Sequence, residues 1–494
     1  MSDSVQDNLP ESIIVDKGDS KNEEANNNES VANGLLVNNK EPATGSSGIS
    51  LEKNSNDSLI SESKKVENLQ KALEFFKLAQ QNQALVQPKT VEDAKKKKFE
   101  FWETQPVPKI TEEISDVNEP IDTNEDVSKV RKEGLPLPDG FVWTSIDIDN
   151  ENELKELYTL LYENYVEDDD NMFRFNYSPE FLRWVLKPPG WRMDWFTALR
   201  VAPKAGSTKN GKLVGFVSAI PTTVRVYDKV IKAVEINFLC VHKKLRSKRM
   251  APVLIKEVTR RVNLNGIWQA LYTAGVYIPK PISTCRYYHR SLNPKKLIDV
   301  GFSSLTRNMN MSRTVKLYRL PETTLIEGLR PLDPKKDLKQ VALLMKEHMK
   351  KFDLAPQFSN EELAHWLTPI PDVISSYVVE KSKSGSNKKE IVAFFSFYIL
   401  PSTVMNHKTY KDVKAAYSFY NVTTGDISLN DLMQDALIVA KNAGLDVFNA
   451  LNQMENNSFL QNLKFGSGDG SLHYYLFNWK CSPLDPSKVG VVLQ

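Results

Sequence analysis

Residues 235–252 read EINFLCVHKKLRSKRMAP, and three devices follow one another there. Residues 234–241 make an apolar run of strand length, rich in β-branched and aromatic side chains, whose only polar members, Glu235 and Asn237, share one alternating face. At its C-terminal end His242, Lys243, Lys244, Arg246, Lys248 and Arg249 put six potential cations within eight positions. Leu254, Val258 and Val262 then recur every fourth residue, the mark of an amphipathic helix. Pro252 must sit in the first turn of that helix, so the helix begins no earlier than about Met250 and the amides of residues 246–251 are expected to be free. A strand, a basic loop and a helix N-terminus in this order can cradle a ligand with several phosphates, because N–H groups and the helix dipole face the anion while the cations neutralise it. On the residues alone, a solvated or nucleic-acid-facing loop stays open as an equal alternative.

The 494 residues, 41% hydrophobic and 26% charged, leave room for two or three domain-sized cores. A net charge of +2 speaks against a nucleic-acid-binding protein overall. Cys240, Cys285 and Cys481 have neither metal nor disulfide spacing, so a reducing compartment and no metal are expected. The opening MSDSVQDNLPESII lacks the basic and apolar regions of a secretory leader, and the longest apolar run, 391–400, is far short of a membrane span. A cytoplasmic location follows as the expectation.

The first ninety or so residues are rich in Asn, Ser, Glu and Lys and poor in aromatics, the composition of a disordered arm. Within it Val66, Leu69, Leu73 and Phe76 predict a short helix over 66–79, transient or docked. The basic run 95–98 stands at the edge of the folded part, and Phe99, Phe101 and Trp102 read as core aromatics opening it. Helices are expected at 151–165, 294–300, 429–442 and 458–464. Strands are expected at 195–201, 213–220, 224–226, 234–241, 267–273, 302–311, 391–400, 415–422, 445–450 and 473–479. Residues between 273 and 294 read as loop. Strand, helix, strand, helix, strand occurs twice, which suggests duplication of one mixed α/β unit. The later copy of the central strand ends in NVTTGDIS, with no cation to hold a phosphate, so only one half can take such a ligand.

Two long strings then narrow the reading. EINFLCVHKKLRSKRMAPVLIKEVTRR (235–261) resembles the first signature of the glycylpeptide N-tetradecanoyltransferases, the N-myristoyltransferases, and KFGSGDG (464–470), whose Gly466, Gly468 and Gly470 read as a loop before the strand at 473–479, resembles the second. The likeness, of animal type, runs from Phe101 to Gln494 through ENYVEDDDNMFRF, YTAGV, CRYYHRSLNPKKLI, SFYNV and DVFNALNQMEN. It implies an α/β fold of two pseudo-symmetric acetyltransferase-like halves after an arm over 1–98: an acyl-CoA-binding half at 99–312, and a half at 313–494 carrying much of the peptide site. It also implies transfer of a tetradecanoyl group from myristoyl-CoA to the N-terminal glycine of proteins. The alternatives are an acetyltransferase-like enzyme using a shorter acyl-CoA, and a catalytically silent acyl-CoA- or ribosome-binding adaptor.

By the same resemblance, myristoyl-CoA would meet Phe101, Trp102, Phe238, Leu239, Cys240, Val241, Arg246, Ser247, Lys248, Arg249, Met250 and Ala251. The main-chain N–H groups of Phe238 and Leu239 would form the oxyanion hole, which requires them to be unpaired, as at a bulge; from the residues alone both read as core. The peptide would be lined by Tyr165, Phe173, Phe175, Tyr177, Tyr287, His289, Phe302, Ser402, Tyr417, Asp469, Gly470 and Leu493, with the acidic triplet at Asp168 and Asp170 receiving substrate cations. Asn237 and Thr273 would hold the incoming amine. His289 and Cys240 are tempting as base and nucleophile, but nothing in the motif sets a base beside Cys240, so direct transfer is expected. The apolar end VGVVLQ asks for burial, and the resemblance makes the Gln494 carboxylate the base. A monomer is expected, with possible ribosome contact through 95–98 or membrane association.

Overall fold

A computed structural model describes residues 88–166, 172–203, 210–382 and 389–494. The helix expected at 66–79, the triplet with Asp168 and Asp170, and the arm up to residue 87 lie outside the described residues. The earlier part of the chain runs β1 (Asn118–Glu119), β2 (Phe141–Ser145), a helix Glu151–Asn164, β3 (Phe173–Phe175), a helix Pro179–Leu186, β4 (Phe196–Val201), β5 (Leu213–Val226), β6 (Lys229–Val241), a helix Met250–Asn263, β7 (Gln269–Ala274) and β8 (Ser283–Ser291). After the short helices Pro294–Asp299 and Met311–Leu317 come β9 (Leu329–Pro331), a helix Pro334–Met349, β10 (Leu354–Pro356), a helix Asn360–Leu367, β11 (Ile374–Ser382), β12 (Lys389–Ile399), β13 (Ser402–Val404) and β14 (Asp412–Val413). The chain closes with β15 (Ala415–Thr423), a helix Leu429–Asn442, β16 (Val447–Leu451), β17 (Gly466–Phe477) and β18 (Lys480–Cys481).

Among the described residues thirteen strands form one sheet in the order β2-β4-β5-β6-β7-β17-β8-β16-β15-β12-β11-β9, with β10 added to β5. The order is nearly palindromic in kind. β6 and β7 are parallel and joined through the helix Met250–Asn263, and β15 and β16 are parallel and joined through Leu429–Asn442. At the centre the two repeats exchange a strand: β17 pairs with β7, and β8 pairs with β16. Sequential capping explains the helix starts. Asn150, Ser178 and Ser428 each accept a main-chain N–H, and Ser359 forms a reciprocal box with Glu362.

Several expectations change. Residues 283–291 are a strand rather than a loop, held by β16 on one side and β17 on the other. Residues 302–311, expected as a strand, are turns leading into the helix Met311–Leu317, because Asn308 takes a left-handed φ of 70° and Asn310 caps the helix by accepting from the Arg313 N–H. The segments 213–220 and 224–226 are one strand. Pro221 is tolerated there because it lies past the last β4 pair, Phe196 with Ser218, on the side where its missing N–H has no strand to meet. The helix expected over 458–464 is α-helical only at Asn457–Leu460.

Candidate active site

The ladder between β5 and β6 breaks where the sequence asked for a break. Phe216 pairs with Cys240 and Ser218 with Asn237, so Phe238 and Leu239 together face the single residue Val217 across a bulge. Phe238 has φ 56°, left-handed for a residue with a large side chain. That conformation turns successive N–H groups toward one side, the geometry of an anion-binding nest. The Phe238 ring is 1% exposed and stays in place through contacts with Tyr165 at 5.9 Å and Tyr177 at 5.2 Å. Burial pushes the Tyr165 phenol well above its ordinary range, and the Phe238 N–H, directed at the phenol oxygen rather than left unpaired as expected, opposes that shift.

Just ahead of the bulge β6 parts from its parallel neighbour. Pairing with β7 ends at Glu235 and Leu271, although β6 runs on to Val241 and β7 to Ala274. Continuing that register by two residues sets Asn237 opposite Thr273 across the opening. The Asn237 Nδ2 is buried without a hydrogen-bond partner, so a donor there awaits an acceptor from outside the described chain. Glu235, on the same face of β6, is buried and its carboxyl is pushed up to about 7 by desolvation, with a hydrogen bond from Thr222 opposing the shift. Cys240 is 2% exposed, and burial pushes its thiol up to about 12. A thiol so held is a poor nucleophile, in line with direct transfer.

The basic run after β6 is more ordered than expected. Residues Lys243–Lys248 form a 3₁₀ helix, and the amides just ahead of residues 246–251 are used: Leu245 donates to the His242 carbonyl at 2.8 Å, Lys244 to His242 Nδ1 at 3.3 Å and Lys243 to Asn164 Oδ1 at 3.0 Å. Arg246 donates from Nη2 to the Asn164 carbonyl at 2.6 Å. Arg249 then takes φ 54° and ψ 33°, which reverses the chain into the helix Met250–Asn263. No side chain caps that helix, so its first-turn N–H groups, at Met250 and Ala251, keep the capacity for an anion. Phe101 and Trp102 lie against the same helix and β7: Lys256 sits over the Phe101 ring at 6.0 Å and Trp102 stacks on Tyr272 at 6.0 Å.

On the other side of the bulge, aromatic rings gather in two groups. Tyr165 and Tyr177 flank Phe238 and Phe175 packs on Tyr177, each ring within 5.9 Å of the next. Phe302 joins Phe173 at 5.7 Å and His289 at 5.6 Å, and Tyr287 stacks on His289. Ser402 is the cross-strand partner of Phe175. The glycine run does not form a loop before a strand; it lies within β17, at an irregularity between Ser467 and Ser471 that packs over Tyr287 and His289. A Cβ at Gly470 would sit 3.6 Å from Tyr287, and Asp469 is exposed beside it. Only the calls at Asp168 and Asp170 fall outside the described residues.

The chain end runs into this region. Gly490 donates to the Leu354 carbonyl at 2.7 Å, the Tyr474 hydroxyl donates to the Val491 carbonyl at 3.0 Å, and the Val492 N–H donates to the Tyr420 hydroxyl at 3.4 Å. Any side chain at Gly490 would meet Phe352 at 2.8 Å. Val491 and Leu493 pack with Leu271 and Tyr474, whereas Val492 packs into the cluster that holds Phe238 and Tyr177. Gln494 is partly exposed, and its Oε1 is buried without a partner. The sequence reading missed Tyr420, Tyr474, Asn164 and Asn449. Of these only Asn449, a lone amide in the buried strand VFNAL, carried a signal before the fold was known.

The comparisons agree on one family. Residues 120–285 match the N-terminal domain, and residues 299–492 the C-terminal domain, of myristoyl-CoA:protein N-myristoyltransferase. Glycylpeptide N-tetradecanoyltransferase 2 of Danio rerio is 55% identical over 430 residues, 87% of this chain and 83% of that protein. The Drosophila melanogaster glycylpeptide N-tetradecanoyltransferase is 55% identical over 397 residues, 80% of this chain and 81% of its own. A crystal structure of Saccharomyces cerevisiae N-myristoyltransferase with bound myristoyl-CoA superposes with a TM-score of 0.75 at 44% identity, covering 81% of this chain and all of that one.

Proposed function

This chain belongs to the myristoyl-CoA:protein N-myristoyltransferase family, and from that premise we propose how its residues divide the work. The protein is an acyltransferase that uses myristoyl-CoA as donor and transfers the tetradecanoyl group to the N-terminal glycine amine of protein substrates. The observation that carries the residue assignment is the left-handed Phe238 at the bulge, next to the opening between Asn237 and Thr273. Main-chain N–H groups of Phe238 and Leu239 face the thioester oxygen as it gains charge. Asn237 and Thr273 orient the glycine amine, and the Gln494 carboxylate takes its proton. The amine then attacks the thioester carbon, the CoA sulfur leaves with the electron pair of the broken C–S bond, and the surplus proton on the nitrogen passes to that sulfur, giving the amide and the free CoA thiol. The half over 99–312 holds acyl-CoA, and that over 313–494 much of the peptide; Asp168 and Asp170 receive substrate cations.

The test is a mass spectrum of a glycine-led peptide after incubation with enzyme and myristoyl-CoA. The N-acylated peptide is expected from wild type and from Cys240→Ala alike, with no acylated enzyme when peptide is withheld. Acyl-enzyme on Cys240 would overturn direct transfer. For the cradle, Lys248→Ala is expected to weaken acyl-CoA binding by only a few-fold, about 1 kcal/mol at an exposed ion contact. Ser247→Pro, which deletes an N–H and distorts the 3₁₀ turn, is expected to weaken it far more. Calorimetric titration that finds equal losses would remove the main-chain cradle.

Residues 95–98 follow the short helix Val91–Lys95, whose Ala94 is buried, so the basic run stands on the folded body. We assign it to contact with ribosomal RNA by a monomeric, cytoplasmic enzyme. Binding to ribosomes is expected to fall as salt rises, since neutralised phosphates release counterions. Full cosedimentation of a chain starting at Phe99 at low salt would sink that assignment. Among the described residues no helix is long and apolar enough to cross a membrane.

A further inference from the structure

Near the chain end one peptide unit is held at both of its edges. The carbonyl of Val491 accepts from the Tyr474 hydroxyl at 3.0 Å, and the N–H of Val492 donates to the Tyr420 hydroxyl at 3.4 Å. These two groups belong to the same planar unit and point to opposite sides of it. Two phenols therefore grip a single peptide plane from either edge. Both are built into the core, Tyr474 at 0% and Tyr420 at 1% exposed. Burial pushes both hydroxyls above the ordinary phenol range, so they stay neutral.

The sheet brings this grip to the face that the candidate chemistry uses. Tyr474 on β17 is the direct partner of Thr273 on β7, so the two side chains share a face. Leu271, two residues before Thr273, lies on that face too and packs with Val491, Leu493 and Tyr474. Leu271 pairs in turn with Glu235 on β6, and Asn237 follows two residues later on the same side. Upstream, the tail runs beside β10: Asp353 donates to the Lys488 carbonyl at 2.9 Å and Gly490 to the Leu354 carbonyl at 2.7 Å. Those bonds fix where the tail enters. Past Gly490 it is the two phenols that hold the main chain, and only Leu493 separates the gripped Val492 from Gln494. The apolar contacts of Val491, Val492 and Leu493 bury the tail but have no direction of their own. Tyr474 Oη has a single hydrogen and lies 2.7 Å from Gln453 Oε1 as well. Turning that amide over lets its NH₂ donate to the phenol and leaves the phenol hydrogen to Val491.

We propose that Tyr474 and Tyr420 are positioning residues for the terminal carboxylate: by gripping the 491–492 peptide plane from both edges, they aim the last residues at the amine held by Asn237 and Thr273. The proposal rests on the reading of the Gln494 carboxylate as the base. Neither phenol takes part in the proton transfer; each acts through the carboxylate it places.

The experiment uses the whole chain carrying Tyr474→Phe, Tyr420→Phe or both, changes that keep each ring and remove one hydroxyl. Single-turnover acylation of a glycine peptide is measured at saturating myristoyl-CoA, together with acyl-CoA affinity, peptide KM and thermal unfolding. Tyr474→Phe is expected to slow the chemical step about tenfold, with acyl-CoA affinity and peptide KM within about twofold, because a base moved by a fraction of an ångström loses rate rather than binding. Tyr420→Phe, whose bond is longer, is expected to lose less. Each variant is then measured with a short tag after Gln494, which removes the carboxylate from its place. In that background the tyrosine changes are expected to cost nothing further, whereas general support of the fold would cost the same factor in both. Wild-type single-turnover rates in the phenylalanine variants, equal losses with and without the tag, or losses confined to affinity and KM overturn the proposal. If Tyr474→Phe does not fold, Tyr420→Phe carries the same comparison. A tag that leaves the unsubstituted enzyme at full rate overturns the reading of the base itself; a slow tagged enzyme beside fast phenylalanine variants overturns the clamp alone.

Discussion

Deleting Leu493 and Gln494, or adding a short tag after Gln494, is expected to slow the chemical step by orders of magnitude while acyl-CoA affinity changes by no more than about twofold. An N-terminal ammonium titrates near 8 and a C-terminal carboxyl near 3.5, so proton transfer between them in water is uphill by roughly 4 units, about 6 kcal/mol. A solvated carboxylate would therefore be a poor base. Val491, Val492 and Leu493 are 1%, 7% and 6% exposed, and desolvation raises the acid's pKa and lowers the amine's, which narrows the gap. The tail is anchored upstream of the deletion, through Gly490 on Leu354, Val491 on Tyr474 and Val492 on Tyr420. The truncated protein should accordingly fold and bind donor. Gln494→Leu keeps the main-chain carboxylate and should be mild. Single-turnover acylation of a glycine peptide, with cofactor affinity measured alongside, compares the three. Transfer at the wild-type rate by the truncated or tagged enzyme would place the base elsewhere.

The second large effect is expected at Phe238, where backbone and side chain can be separated. Phe238→Leu and Phe238→Val both lose the ring contacts with Tyr165 and Tyr177. Only valine is β-branched, and a β-branched residue is a strong outlier at φ 56°. If the bulge supplies the oxyanion donors, flattening it should cost the valine enzyme about 10²–10³ in the chemical step beyond the leucine enzyme, the usual penalty for losing such a donor. Thermal unfolding and acyl-CoA titration show that both variants are folded. Equal single-turnover rates for the two would mean that the left-handed residue is only structural.

Local pattern was enough for the elements whose stabilising contacts are near in sequence. Leu254, Val258 and Val262 marked the helix Met250–Asn263, and Pro252 marked its start. The helix Leu429–Asn442 was read with its bounds, since Ser428 caps it and its buried side chains recur at helical spacing. The strand–basic loop–helix order was likewise legible, because charge and helix start are written in consecutive residues. The motifs carried the family as well.

What the chain could not announce locally is whatever depends on a distant partner. Residues 283–291 mix Arg, Tyr and His and lack strict alternation, and they become a strand because β16 and β17, more than 150 residues away, supply both edges. The glycine run 466–470 was read as a loop for the same reason; it is held in a sheet by β8. The exchange of β8 and β17 between the repeats has no counterpart in any single segment. Most of the candidate site lies in this class. The bulge at Phe238 exists only against the register of β5, and the opening between Asn237 and Thr273 only where β6 leaves β7. Sequence by itself determined the helices Met250–Asn263 and Leu429–Asn442 and the family, since those rest on neighbouring residues. Tertiary structure decided where a ladder bulges and where two paired strands part, because a hydrogen bond is settled only when both of its partners are in place.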